Sequence, residues 1–543
     1  MILKTVLIAA LTFSPLQLVE GRRSLNQLRP QSARHSQKKS ILSRSTESQA
    51  TLNGTDATTN DYRYYNDKTS KFFVESLPEF PKLSEMYAGL IPIDPAVNAS
   101  RDLFFIFQPS TGKPVDEITI WLNGGPGCTS MEGFLQENGE FVWLPGTMGP
   151  QRNPWAWTNE TNMLWVDQPV GVGFSAGTPT ASTEEEIAQD FIKWFKNFQE
   201  AFGICDYHTF VTGESYAGRY VSYISLAMLE QEDKKYYDLQ GALIFDGTIG
   251  AWETQQEEIP LFPFVAANNN VFNLNDTFMA QLESLHKQCG YADYLDKYLT
   301  FPASGIQPPS FINFSDPAAL ECDIFDIAYS EVQVANSCFN IYHITDFCPP
   351  LYDPMAFSLD EANAPSYFNR TDVKKALHVP LDTNFENCVL GVFVGGGGTG
   401  GPQSEGDLSA DPIQAVLPKV IDATQRVLIA NGNLDGIILT NGTLLAIQNM
   451  TWGGQLGFQN APNTTFEVTL GDIEYGQFLE AQGFTDFTQI PQGKVGLQHS
   501  ERGLLYVEVF QSGHMQPEYM PRAAFEQLLW LLRRIDSLPS SPP

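Results

Sequence analysis

Short apolar runs recur along the chain, and between them apolar residues return every three or four positions. The runs Asp102–Phe107, Ile118–Leu122, Met163–Val166, Thr209–Val211, Ala242–Phe245, Arg426–Ala430 and Leu504–Val509 predict strands. The stretches Glu184–Phe202, Tyr216–Glu230 and Arg522–Ile535 predict amphipathic helices. Strands alternating with helices give an α/β fold, with a mostly parallel central sheet and helices on both faces. The rhythm fails from about Gly250 to Ser366, a stretch rich in Asn, Pro and Phe that holds four of the seven cysteines. It reads as a cap insertion stapled by its own disulfides. A second irregular piece, Gly395–Gly401, reads as a surface loop; as a phosphate loop it fails, because no Lys-Ser or Lys-Thr follows the glycines.

Residues 1–21 stand apart: Lys4 precedes an apolar run, Val6–Leu18, too short to span a membrane and followed by Val19-Glu20-Gly21, the layout of a signal peptide. Residues 22–60 then read as a basic, disordered pro-segment or linker, with seven basic residues and no acidic one between Arg22 and Arg44. The remaining 61–540 are expected to form one hydrolase-sized domain carrying the cap. Secretion agrees with sequons at Asn53, Asn98, Asn159, Asn275, Asn313, Asn369, Asn441, Asn449 and Asn463, candidate glycosylation sites on surface loops. It also agrees with seven cysteines that lack any C-x-x-C spacing, and so fit disulfides better than a metal. An acidic vacuole-like compartment is the alternative destination.

Composition narrows the field further. At 43 % hydrophobic and 17 % charged residues the chain is globular, and 32 Lys+Arg against 63 Asp+Glu give a net charge of −31. That excludes a nucleic-acid partner on electrostatic grounds and disfavours an anionic membrane surface. No apolar anchor follows Leu532, and neither a cofactor nor a metal is expected.

Three short segments carry candidate chemistry. Val211-Thr212-Gly213-Glu214-Ser215-Tyr216-Ala217-Gly218 follows a strand and opens a helix, the setting of a nucleophile elbow, whose tight turn demands small residues two positions either side of the Ser. Asp435 and His514 each follow a strand in turn, and the order Ser215, Asp435, His514 is that of an α/β-hydrolase triad. Asn123-Gly124-Gly125-Pro126-Gly127 follows an early strand, where glycines let backbone N–H groups approach a developing oxyanion.

WLNGGPGC at 121–128, GESYAG at 213–218 and SGHMQP at 512–517 resemble the signatures of the serine carboxypeptidase family, and VDQPVGVGFS at 166–175 and ALHVP at 376–380 are similar to two further family segments. The resemblance runs from about Tyr62 to Ser537. It implies an α/β-hydrolase fold and removal of C-terminal amino acids from peptides and proteins, with Ser215 as nucleophile, His514 as base and Asp435 orienting it. It further implies an oxyanion hole from the Gly125 and Tyr216 N–H groups, and a substrate-carboxylate clamp of Asn123, Glu137 and Glu214. Two neighbouring carboxylates share a proton best in acid, so the activity is expected to favour acid pH. Glu140, where the family commonly has Pro, adds a third carboxylate expected near Glu137. Cys128 and Cys388 match a family disulfide; Cys289, Cys348, Cys322 and Cys338 are left for two bridges in the cap in an order the sequence leaves open, and Cys205 is left over. Carboxypeptidase-like acyltransferases or esterases, and inactive binding proteins on the same fold, are the alternatives.

Overall fold

The computed structural model describes residues 62–95, 101–309, 317–357, 365–394, 406–468 and 493–540. The signal and pro-segment expectations, the loop Gly395–Gly401 and the sequons at Asn53, Asn98 and Asn313 lie outside the described residues.

Among the described residues ten strands form the main sheet: β1 Tyr87–Pro92, β2 Asp102–Gln108, β3 Glu117–Leu122, β4 Asn162–Asp167, β5 His208–Glu214, β6 Asp238–Phe245, β7 Val427–Gly432, β8 Thr464–Val468, β9 Gly493–Glu501 and β10 Leu504–Val509. Their order is β1-β2-β4-β3-β5-β6-β7-β10-β9-β8. The six from β4 to β10 run parallel, and the two at each edge pair antiparallel. Central strands are buried on both faces, which is why they read as continuous apolar runs. Along β3, Ile118, Ile120 and Leu122 face one apolar layer with Phe105, Val211, Trp194 and Tyr220, while Trp121 faces the other with Trp165, Phe245 and Leu528. The helices that close these faces are α1 Glu184–Phe202, α2 Ala217–Glu230 and, late in the chain, Pro521–Leu531.

Local chemistry sets the helix ends. At α1 the Thr183 hydroxyl caps the first turn, Glu184–Glu186 meet the positive end of the helix dipole, and Gly203 closes the helix at φ 69°. The last helix starts at Pro521, whose missing N–H costs nothing there, and stops at Leu531 rather than Ile535.

After β6 the chain passes through a π-helix, Trp252–Glu258, and the helices α3 Ile259–Ala267, α4 Asp276–Gln288, α5 Tyr291–Tyr298 and α6 Ile324–Ala335. These enclose their own apolar cluster, in which Ile259, Leu261, Leu282, Tyr291 and Ile324 pack against Leu439 and Leu445 of the sheet side. Disulfides Cys289–Cys322 and Cys338–Cys348 cross-link this region, Cys128–Cys388 joins distant parts of the chain, and Cys205 is free. Of the described sequons, Asn275 and Asn463 are exposed, whereas Asn441 lies in the helix Thr440–Gln448 and Asn449 caps it, so these two are not in loops. Among the described residues no helix is long and apolar enough to cross a membrane.

Candidate active site

The parallel strands β5, β6, β7 and β10 are neighbours, so their carboxyl ends share one edge, where open α/β sheets place ligands. Ser215 follows β5, Asp246 follows β6, Asp435 lies beyond β7 and His514 beyond β10.

Ser215 occupies the left-handed region at φ 62°, a conformation costing a non-glycine residue about 1–2 kcal/mol. Its backbone is held there from both sides, the N–H donating to Phe245 O at 3.0 Å and the carbonyl accepting from Thr248 N at 2.9 Å. The small flanking residues have a visible reason. A β-carbon on Gly213 would lie 2.8 Å from Ala217 Cβ and 2.4 Å from Leu122 O, so Ala is tolerated at 217 because 213 is Gly. The helix begins at Ala217, with Tyr216 as its N-cap residue.

His514 Nδ1 lies 2.7 Å from Asp435 Oδ2, and both residues are buried. Asp435 Oδ1 accepts the Ile437 N–H at 2.8 Å, which fixes the carboxylate. His514 Nε2 is left without a partner among the described residues, and the Tyr342 ring lies 5.2 Å from the imidazole.

Sequence reasoning missed Asp246. It is fully buried; Oδ1 accepts from Gly432 N at 2.6 Å and Asn431 Nδ2 at 3.0 Å, and Oδ2 from Gln516 Nε2 at 2.8 Å. It thereby ties the end of β6 to the end of β7, three residues before Asp435, and to the residue two beyond His514. The only signal in the sequence was an Asp-Gly step at a strand end. Asp246, Asp435 and His514 place one ligand atom each within 4.8 Å of one another. Their lone pairs already serve the N–H donors just named, however, and a metal would have to displace them.

The glycine segment after β3 lies against the elbow: a β-carbon on Gly124 would fall 2.5 Å from Tyr216 N and 2.7 Å from Ser215 Cβ. Cys128–Cys388, with Val389 N donating to Gly127 O at 3.0 Å, anchors the far end of that segment.

Asn123 is the hub of a buried polar group. Its Oδ1 accepts from Trp121 Nε1 at 2.8 Å and Gly133 N at 3.2 Å, which orients the amide so that Nδ2 donates to Glu214 Oε1 at 2.9 Å and Glu137 Oε1 at 3.1 Å. Glu137 ends a π-helix, Gly133–Glu137, entered at a glycine because any β-carbon there would strike the Trp121 indole. The second oxygens of Glu137 and Glu214 have no partner among the described residues. Burial pushes the Glu137 carboxyl up to about 7, opposed by hydrogen bonds with Glu214 and Asn123. Burial first, and then the charge of Glu137, hold Glu214 well above the usual carboxylate range. Glu140 does not join them: it turns to Ser84 N and Oγ at 3.0 and 2.8 Å and to the Gln108 amide. Glu132 and Glu518, unmarked in the sequence, are the additional carboxylates within electrostatic reach of Glu137.

Buried acids of this kind make stability depend on pH. Burial also raises Asp167 to about 6, although Thr129, Phe174 N and Ser130 N hydrogen-bond it. The folded state therefore holds protons that the unfolded chain gives up near pH 4, so stability is greatest in acid and is lost as pH rises through about 6 to 7. Thermal unfolding followed by circular dichroism should show Tm falling by at least about 5 °C between pH 4.5 and 7.5. A flat or rising Tm would mean that these carboxyls are ionised in the folded protein.

A family model described as serine carboxypeptidase matches residues 78–534. Serine-type carboxypeptidase F of Aspergillus niger is 55 % identical over 483 residues, which cover 88 % of this chain and 90 % of the relative. A carboxypeptidase Y homolog of Arthroderma benhamiae is 40 % identical over 481 residues, covering 88 % of this chain and 89 % of the relative. The crystal structure of Kex1(delta)p, a prohormone-processing carboxypeptidase from Saccharomyces cerevisiae, superposes with a TM-score of 0.65 at 22 % identity, covering 86 % of this chain and 96 % of that one.

Proposed function

The chain belongs to the serine carboxypeptidase family and is a serine-type carboxypeptidase, and on that footing we propose that it removes C-terminal amino acids through an acyl-enzyme formed on Ser215. His514 takes the Ser215 proton as the hydroxyl attacks the last peptide carbonyl, then returns it to the leaving amine; Asp435 holds the imidazole through Nδ1. The N–H groups of Gly125 and Tyr216 stabilise the oxyanion, a role supported by the apposition of the glycine segment and the elbow. Water then releases the shortened peptide and regenerates the hydroxyl.

The observation that carries this reading is the buried Asn123–Glu137–Glu214 group beside the nucleophile. An enzyme that cleaves esters or interior peptide bonds has no use for it. A carboxyl–carboxylate pair holding a proton, together with the Asn123 amide, can donate hydrogen bonds to the free α-carboxylate of a peptide. The test is release of free amino acids from one peptide bearing a C-terminal carboxylate or a C-terminal amide. The acid should be cleaved at least about 100-fold faster, the loss expected when a buried charge-assisted group finds no partner. Equal rates would favour the esterase or acyltransferase alternatives.

The proposed domain division keeps 61–540 as one hydrolase unit with the cap at about 250–366. Entry into the secretory pathway, for an extracellular or acidic vacuolar destination, is supported by the three disulfides.

Asp246 is proposed as a positioning residue. Asp246→Ala leaves the Gly432 N–H and the Gln516 amide without this acceptor and Asn431 Nδ2 with only its bond to Ile438 O, and is expected to cost about 3 kcal/mol of stability and to lower kcat roughly tenfold with KM little changed. An unchanged kcat in a folded variant would leave Asp246 a purely structural role.

A further inference from the structure

Beside the clamp stand two acids, Glu132 and Glu518, that neither the clamp nor the triad employs. Glu132 caps the π-helix that ends at Glu137. Residues five apart on a π-helix fall on nearly the same face, so the two carboxylates project to one side, a turn apart. Across from them the short helix Gln516–Tyr519, which starts two residues after His514, packs on the π-helix and carries Glu518. Glu132, Glu137 and Glu518 act on one another electrostatically, and Asp353 acts on Glu132 and Glu518.

The partners of these acids are unequally distributed. Asp353 is satisfied, accepting from Gln136 Nε2 at 2.8 Å, Met355 N at 2.9 Å and Phe357 N at 3.0 Å. Glu132 is only 8 % exposed, yet neither its carboxylate nor that of Glu518 makes a hydrogen bond or ion pair with any described residue. The nearby imidazoles are committed, His343 to Asp346 and His514 to Asp435. With no countercharge in the described chain, burial and the neighbouring acids raise Glu132 well above the usual carboxylate range, and a cation from outside the chain would restore its ionised form.

Position identifies the supplier. If the clamp holds the α-carboxylate and Ser215 attacks the carbonyl one residue upstream, the amino acid between them is the one to be released. Its side chain then enters the space between the π-helix and the helix after His514. We infer that Glu132, assisted by Glu518 at the rim, forms the pocket for the side chain of the released amino acid and selects a cationic one, lysine or arginine. The ammonium or guanidinium pairs with the Glu132 carboxylate, and the pair is desolvated together. This inference rests on the carboxypeptidase reading of the same site.

The test uses peptides that differ only in their last residue, Lys, Leu or Glu, with kcat/KM measured at a single pH for wild type, Glu132→Gln, Glu132→Lys and the double variant Glu132→Gln/Glu518→Gln. Wild type should prefer Lys over Leu by about 30-fold or more and cleave the Glu peptide worst. In Glu132→Gln the Lys rate should fall about 20-fold, mostly through KM, while the Leu rate stays within about threefold and reports a folded enzyme. Glu132→Lys should reverse the order of Lys and Glu. The inference is overturned if wild type shows no preference for Lys over Leu, or if the preference survives in both Gln variants. If wild type releases no amino acid even from the Leu peptide, it is the proposed function that falls.

Discussion

Replacing Ser215 with Ala is expected to lower kcat/KM for release of C-terminal amino acids by roughly 10⁴–10⁶-fold while peptide binding persists. The size of the effect follows from the geometry. The hydroxyl is carried on a turn with φ 62° whose backbone bonds to Phe245 and Thr248 do not depend on the side chain, so the variant should fold with the site otherwise intact. Asp435→Asn should approach the same loss by favouring the wrong imidazole tautomer, since the His514 Nδ1 proton would lose its acceptor. Single-turnover assays with equilibrium binding of the uncleaved peptide separate chemistry from affinity. Retained turnover in a verified Ser215→Ala preparation would disprove the covalent route.

The second large effect concerns pH and the clamp. Glu137 is raised to about 7 and Glu214 is held well above the usual carboxylate range, so below neutrality the pair holds protons that can be donated to a substrate carboxylate. As pH rises through about 7 the Glu137 proton leaves, and its carboxylate then repels the ligand it had bound. KM for a peptide acid should therefore climb by about 10-fold from pH 5 to pH 8, while KM for an ester or amide without the terminal carboxylate stays level. Glu137→Gln supplies a donor that cannot ionise and should flatten the rise. A peptide-acid KM insensitive to pH in wild type would remove Glu137 and Glu214 from substrate recognition.

What the sequence revealed and what it hid divide along physical lines. Doubly buried strands such as Ile118–Leu122 and Leu504–Val509 announce themselves as apolar runs, because both faces meet helices. Strands at and next to the sheet's edges were missed: Tyr87–Pro92, at one edge, contains Gly and Pro, and Gly493–Glu501, next to the other edge, is largely polar, as strands with one solvent-facing side are. Ser215, Asp435 and His514 were legible because each follows a recognisable strand in a fixed order. Glu132, Asp246 and Glu518 were not, since nothing in their neighbours marks them. Only the closure of the sheet, and a π-helix with no sequence period of its own, bring them to the site. The same closure corrects the expectation for Glu140, which lies three positions beyond Glu137 and turns into a different polar network.

The strand order also has a consequence for biogenesis. The ribosome delivers the proposed nucleophile elbow long before the proposed base, and His514 takes its place at the carboxyl edge of the sheet only after β10 has docked beside β7. Parallel pairings between distant segments close slowly, because the loop entropy is lost before the contacts form. A nascent or half-folded copy therefore carries its serine without a base. If the proposed mechanism holds, latency during synthesis is built into the order of the strands, and the polypeptides around the nascent chain are safe from it until its sheet is complete.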